Sequence, residues 1–487
     1  MSIFNRIALA ARVVAAGLLF GPGFPGPGWA REPSVTPPVA QSAAASDAAQ
    51  EPLAAAPDSS RVVGPQRRPL LTVAELVGVN TGIWSFDRYI RQGGENPGFR
   101  IGINSWQENL QNGFEWDDNN FATNQFAHPY HGSMYFNAAR SNGYDFWESV
   151  PFTFGGSFLW EYFYEKHHPS YNDWGNTSIG GVALGEMLWR LSDMVLDNSA
   201  QGGGRRWREV GALLLNPMRG VTRMLTGDWS RVGPNPPGRF PGRLVFQLDA
   251  GLRTAGEGKV WEADTTRAFL ELQGLYGDPF GGDRRKPFDS FELGAQLNFG
   301  DASVLAGVKA HGLLGAAELK KTENVQHLLG GFLNYDYINT YAYEVGQQSL
   351  GLGLLSRFTS TPFGRVDTQV HLNGIVLGAV GSDYENFTGR AYDYGPGASA
   401  VVSAALVRRD RPWLVIRHGQ YWVHTLNGTA GEHHLSVTRV QLDVPVAPAL
   451  GVGVQYLLYL AENDYRDYPD THHRLPEVRV SIALPLQ

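Results

Sequence analysis

From Arg243 to the end of the chain, hydrophobicity alternates with a period of two, and this limits the fold more than any other feature. In "RLVFQLDAGLR", Leu244, Phe246, Leu248, Ala250 and Leu252 fall on one face, with Arg243, Gln247, Asp249 and Arg253 on the other. In "FELGAQLNF", Phe291, Leu293, Ala295, Leu297 and Phe299 oppose Glu292, Gln296 and Asn298. The same pattern sets Val366, Val370, Leu372 and Val376 against Asp367, Gln369, His371 and Asn373. It returns in the row Leu450, Val452, Val454, Tyr456, Leu458 and Leu460, and in Val478, Val480, Ile482 and Leu484. Strict alternation argues half-buried strands. Many of these segments reach about ten residues, which suits a tilted bilayer-spanning strand better than the usual five or six of a soluble one.

Turn-rich segments of unequal length separate the strands, among them "STPFG" and "GSDYENFTGRAYDYGPG". Short turns at one rim and longer loops at the other are the plan of a transmembrane barrel. The sequence therefore predicts an antiparallel transmembrane β-barrel of about twelve strands over 240–487. Its polar row, Arg243, Asp249, Glu271, Gln273, Glu292, Lys309, His311, Asp367, His371 and Arg479, is expected to face the lumen. The apolar row Phe291 to Phe299 is expected to face lipid. A soluble β-sandwich is the competing reading of the same alternation. The ending "SIALPLQ" departs from the aromatic terminus common in such barrels.

The N-terminal region agrees with export. Arg6 and Arg12 precede an apolar run from Val13 to Phe20, and Gly28 and Ala30 occupy the small-residue positions before a cut. Residues 1–30 read as a signal peptide, with Arg31 the expected mature N-terminus. Residues 31–68 are Ala-, Pro- and Ser-rich without periodicity and read as a disordered linker. Charged residues make up only 18 % of the chain and its formal charge is −7, so no nucleic-acid surface is expected. With no cysteine, disulfides, thiolate metal sites and a cysteine nucleophile are excluded. The most apolar helical stretch, "VPFTFGGSFLWEYFY", is shorter than the ~20 residues a bilayer needs and contains Glu161.

Between linker and barrel, 69–235 reads as a helical domain. Leu70 to Gly78 is a short helical candidate. The stretch "FRIGINSWQENLQNGFEWDDNNF" reads as mixed, a strand and a long loop. Three helices follow. The first begins near His128, with Pro129 at a tolerated early position, and stops at Asn142-Gly143. The second starts at Asp145 with Glu148 in capping-box spacing, carries Pro151, and ends near Lys166. The third runs from Asn172-Asp173 to about Leu196. Small residues at Gly181 and Gly185 prepare it for a close backbone neighbour.

The candidate site lies on these three helices. His128 and His131 are three residues apart and share a helix face. Glu161 interrupts an aromatic helix, with Glu165 one turn on. Asp173 and Asn176 open the third helix. A buried carboxylate needs a cation, a metal or a proton. One reading is a hydrogen-bonded clasp in which His131 meets Glu161 and Arg140 neutralises it. The other is a catalytic or divalent-metal site made of His128, His131, Glu161 and Asp173. Neither an HExxH nor a G-x-S-x-G arrangement supports the second, so no cofactor is expected.

The runs "NQFAHPYHGSMYFNAARSNGYDFWES" and "PSYNDWGNTSIGGVALGEMLWRLSD" resemble the bacterial domain-of-unknown-function family 3943, over roughly residues 116–196. The resemblance implies an envelope protein and supplies no mechanism. A fainter likeness runs to small periplasmic lipoproteins and vancomycin-resistance-Z-like proteins, through the spacing of His131, Tyr135, Glu161, Asp173, Asn176 and Gly180, and carries no function with it. The expectation is an exported outer-membrane barrel, in contact with membrane lipid, whose helical domain plugs the lumen or caps its periplasmic side. Its expected role is envelope structure or passage of a small solute or lipid. Two alternatives stay open: an envelope lipid-modifying hydrolase with its site in the helical domain, and a soluble periplasmic binding module.

Overall fold

The computed structural model describes residues 66–91, 97–236, 238–256, 266–340, 343–386 and 388–486. The expected signal peptide, and the expected linker as far as residue 65, lie outside the described residues. The C-terminal half is a closed barrel of twelve strands in sequence order. They are β1 (Leu244–Ala255), β2 (Thr266–Tyr276), β3 (Phe291–Asn298), β4 (Leu305–Lys321), β5 (Val325–Asn339) and β6 (Glu344–Thr361), then β7 (Gly364–Gly381), β8 (Tyr392–Arg408), β9 (Arg411–His424), β10 (Gly431–Ala447), β11 (Leu450–Tyr465) and β12 (Thr471–Pro485). Every neighbouring pair is antiparallel, and β1 closes on β12 with Ala250 opposite Ile482 and Leu252 opposite Val480.

Hydrogen bonds across the barrel identify its inner face. Glu292 on β3 accepts from Gln369 on β7 at 2.9 Å and pairs with Arg417 on β9 at 3.3 Å. Glu271 on β2 pairs with Arg439 on β10 at 2.8 Å. These strands are not neighbours, so the bonds run through the interior. Strand alternation then places the polar row inward, as expected, and the apolar row outward. On the outer face Leu350, Leu352, Val370, Leu372, Val402, Ile416, Val454, Val480 and Ile482 are exposed.

The helical domain contains α1 (Pro69–Tyr89), α2 (Ile103–Asn112), α3 (His128–Ser141), α4 (Phe146–Phe163), α5 (Tyr171–Gly175), α6 (Gly181–Val195), α7 (Gly202–Leu215) and α8 (Pro217–Leu225). The capping box of α4 forms as its spacing predicts: Asp145 Oδ1 accepts from the Glu148 amide at 2.9 Å, and Glu148 Oε2 from the Asp145 amide at 3.0 Å. The stretch expected to be mixed contains the helix α2 instead. Its exposed Ile103, Trp106 and Leu110 recur at helical spacing, in a polar context that hid the period. The short candidate at Leu70 extends to Tyr89. Helices α3 and α6 cross so closely that a Cβ on Gly132 would lie 1.7 Å from the Thr177 carbonyl oxygen, and one on Gly181 within 2.7 Å of the Gly132 Cα. Only hydrogen fits there.

The domain neither plugs nor caps the lumen. It packs on the outer wall. Val182, Leu184, Met187 and Leu188 of α6 share one apolar core with Phe246, Leu248, Phe291, Leu293, Val308 and Tyr335, all on outward-facing rows. The footprint runs from Phe246, Tyr276 and Phe288, near the rim that carries the short turns, to Tyr335, Tyr392 and Tyr394, near the opposite rim. The row Phe291, Leu293, Ala295 and Leu297 points outward as expected but meets α6 and not lipid. Alternation fixes which way a side chain points, not what covers it.

Candidate functional site

Three short segments converge where the helices meet the wall. His128 opens α3, Glu161 lies in the last turn of α4, and Asp173 sits in α5. One ligand-type atom of each lies within 4.8 Å of the other two, and all three side chains are buried. His128 Nε2 is 3.7 Å from Asp173 Oδ1. Outer partners orient each residue. His128 Nδ1 pairs with Thr177 Oγ1 at 3.1 Å. Glu161 Oε2 accepts from the Ser170 amide at 2.9 Å, and Asp173 Oδ1 from Asn172 Nδ2 at 2.8 Å. Among the described residues, Glu161 Oε1 has no hydrogen-bond partner, and neither does either side-chain polar atom of the fully buried Asn176.

The electrostatics are one-sided. Burial pushes the Glu161 and Asp173 carboxyls well up, and the nearby acids Asp117 and Glu165 add to the effect at Glu161. Burial also lifts Glu165 to about 8, the His128 charge acting against the rise. His128 is pushed down by the same desolvation. Such a set is neutral by protonation, or holds a cation.

The fourth predicted residue is elsewhere. His131 Nε2 pairs with Tyr135 Oη at 2.7 Å, and Tyr135 in turn donates to Asn80 Oδ1. Burial pushes His131 down to about 3, so the ring is neutral. The expected His131–Glu161 clasp is therefore replaced by separate networks. Arg140 does not neutralise Glu161 either. It pairs with Glu186 at 2.8 Å, and Glu186 also binds Arg190. A sequence offers any helix-borne arginine to any buried acid, and only the packing of α3 on α6 chooses between them.

The site is tied to the barrel by tyrosines that sequence reasoning missed. Tyr394 Oη receives Gln125 Nε2 at 3.1 Å and Asn172 Nδ2 at 3.3 Å. Asn124 Nδ2 donates to Tyr392 Oη at 2.8 Å, and Tyr335 Oη donates to the Gln125 carbonyl at 2.7 Å. Arg390 reaches the Asp117 carbonyl at 2.9 Å. The cue in the sequence is "AYDYG", two tyrosines two apart at a strand start, which place both rings on one outward face.

The fold and the seam define a closed twelve-stranded barrel with a helical domain docked on its flank. Residues 113–218, from the end of α2 to the start of α8, match the family described as Domain of unknown function (DUF3943). No curated protein matches the chain. Among solved structures, the NanC porin is similar at 8 % identity over 48 % of this chain and 98 % of its own, with a TM-score of 0.26. The outer membrane channel DcaP of Acinetobacter baumannii is similar at 10 % identity over 50 % and 96 %, with a TM-score of 0.23. OmpT of Vibrio cholerae shows 10 % identity over the same shares and a TM-score of 0.22. Overlaps this loose add nothing to the barrel that the strand pairing already defines.

Proposed function

We propose that the protein is a bacterial outer-membrane barrel that holds a lipid-facing helical domain against its wall, and that it works among membrane lipids and is not an open solute pore. The observation that carries this reading is the apolar exterior. The exposed outward rows of β6 to β12 suit hydrocarbon, and part of their continuation on β1 to β5 is covered by the helical domain. The domain's own outer surface is apolar too. Leu70, Val73 and Val77 form a stripe on α1, and Ile103, Trp106 and Leu110 one on α2, each at i, i+3 and i+7 spacing. Between α6 and the wall a cavity of about 110 Å³ is lined by apolar side chains, among them Leu184, Leu188, Leu191, Leu272, Leu293 and Leu297. Such a space suits a hydrocarbon chain.

The lumen supports the same reading. Cavities of about 260 and 560 Å³ occupy its two ends. Two further cavities, of about 30 and 10 Å³, lie around His311, His371 and Arg417. Glu292, Lys309 and Arg417 form an ion-pair network inside the lumen, on the lining of the 260 Å³ cavity. The second reading, passage of a small solute, draws on the two end cavities. A soluble binding module would leave the apolar rows in water, and a hydrolase would need the buried His128, Glu161 and Asp173 to open.

Fractionation, gel mobility, mass spectrometry and bilayer recording test the proposal. The protein is expected to fractionate with outer membranes, to need detergent, to be heat-modifiable on gels, and to begin at Arg31 by mass spectrometry. In planar bilayers it is expected to give no steady open-pore conductance. Release in soluble form without detergent would overturn the membrane reading, and a stable ohmic pore would favour solute passage.

A further inference from the structure

We infer that His128, Glu161 and Asp173 form a structural site for a divalent transition-metal cation of the zinc type. The inference goes beyond the membrane reading and does not depend on it.

The donor set comes first. One imidazole nitrogen and two carboxylates, each from a different helix, already have their ligand atoms gathered within 4.8 Å. An imidazole with carboxylates is a borderline-hard set, suited to zinc and its first-row neighbours more than to calcium or magnesium, which favour all-oxygen shells.

The surroundings of the donors point the same way. Ligating histidines typically engage their second ring nitrogen with an outer partner, which fixes the ring, and ligating carboxylates are hydrogen-bonded in turn. Here Thr177 holds His128 Nδ1 and leaves Nε2 facing Asp173. The Ser170 amide holds one Glu161 oxygen, and Asn172 holds Asp173 Oδ1. The other Glu161 oxygen, Oε1, is left without a partner on a side chain 1 % exposed. Buried polar atoms are nearly always paired, so an orphan carboxylate oxygen beside a histidine and a second acid calls for a ligand. Asn176, next in chain to Thr177, is 0 % exposed with both polar atoms unpaired.

Charge completes the case. Without a cation, Glu161 Oε1 and the Asn176 side chain reach no hydrogen-bond partner among the described residues. A dication balances two carboxylates and leaves His128 neutral, the form that coordinates. The three donors are buried, and a fourth coordination position is left to a further ligand. The site's place gives it a purpose: it clamps α3, α4 and α5 together directly behind the Asn172–Tyr394 contact, through which the domain holds the barrel wall.

The test uses the full chain purified in detergent. Elemental analysis is expected to find a stoichiometric divalent transition metal. A strong chelator should remove it and lower the melting temperature of the helical signal, and added zinc should restore both. Glu161→Gln and Asp173→Asn should each lose the metal while the barrel stays heat-modifiable. Protein that is metal-free as purified, takes up no zinc and melts alike with and without chelator would overturn the inference. So would a Glu161→Gln chain that melts higher than the parent, the outcome expected of a protonated clasp. If neither variant folds, chelation and zinc re-addition on the unaltered protein still decide. Failure of the chain to partition with membranes would sink the earlier reading and leave these outcomes unchanged.

Discussion

At the scale of single residues, the packing makes two sharp demands. Gly132 faces the Thr177 carbonyl where α3 crosses α6, with room for hydrogen only. Gly132→Ala forces the crossing apart and is expected to cost at least the ~1–3 kcal/mol of ordinary overpacking, since backbone and not a pliable side chain opposes it. Denaturation of the helical signal measures this. Glu75 makes the second demand. It is buried beneath Thr222 and Asn142, which donate to its two oxygens at 2.8 Å each. Burial outweighs these bonds and raises its carboxyl from 4.5 to about 7. The folded state then holds the proton more tightly than the unfolded chain. The domain is therefore most stable below the unfolded value and loses stability as pH rises toward 7, at up to ~1.4 kcal/mol per pH unit. Glu75→Gln should flatten that slope between pH 5 and 7 in melting curves. An unchanged slope would assign the pH dependence to other acids.

At the scale of elements, the same outward direction carries two meanings. Leu352 on β6 is 61 % exposed, whereas Leu293 on β3 is 6 % exposed against α6. Leu352→Arg is expected to cost ~2–4 kcal/mol near the bilayer midplane and little in mild detergent. Leu293→Arg should instead loosen α6 from the wall in either medium, seen as new protease cleavage in the helical domain. Equal behaviour at the two positions would contradict the lateral docking. The strand alternation, the α4 capping box, and the α3 start and stop were all legible beforehand, because each is set by local geometry. Helices α7 and α8, within the helical domain expected over 69–235, carry weaker local signals. Arg205 pairs with the buried Glu209 one turn on within α7, and Arg223 of α8 reaches the same carboxylate, so α8 is held by a tertiary contact.

At the scale of the whole molecule, the barrel is a packed wall before it is a conduit. Glu292 holds Lys309 on the neighbouring strand at 2.5 Å and Arg417 across the lumen at 3.3 Å. Glu292→Ala leaves Lys309 and Arg417 without the acid they share inside the lumen. Folding should be strained, and anion-selective flicker should appear in bilayers where the parent is silent. Continued silence in a folded variant would show that the apolar layer around Val345, Ile375, Val423 and Leu435 closes the lumen without help.

The sequence by itself determined the class of wall. A period of two over such lengths leaves a chain few ways to bury one face and wet the other, and the sign of each position is local information. It also marked His128, Glu161 and Asp173, because polar groups among aromatics stand out one at a time. Tertiary structure decided the rest. That His131 turns to Tyr135, that Arg140 serves Glu186, and that the helices lie outside the barrel all depend on which of several chemically acceptable partners arrives first in space. Direction is written residue by residue, whereas a partner is chosen by the packing of the entire chain.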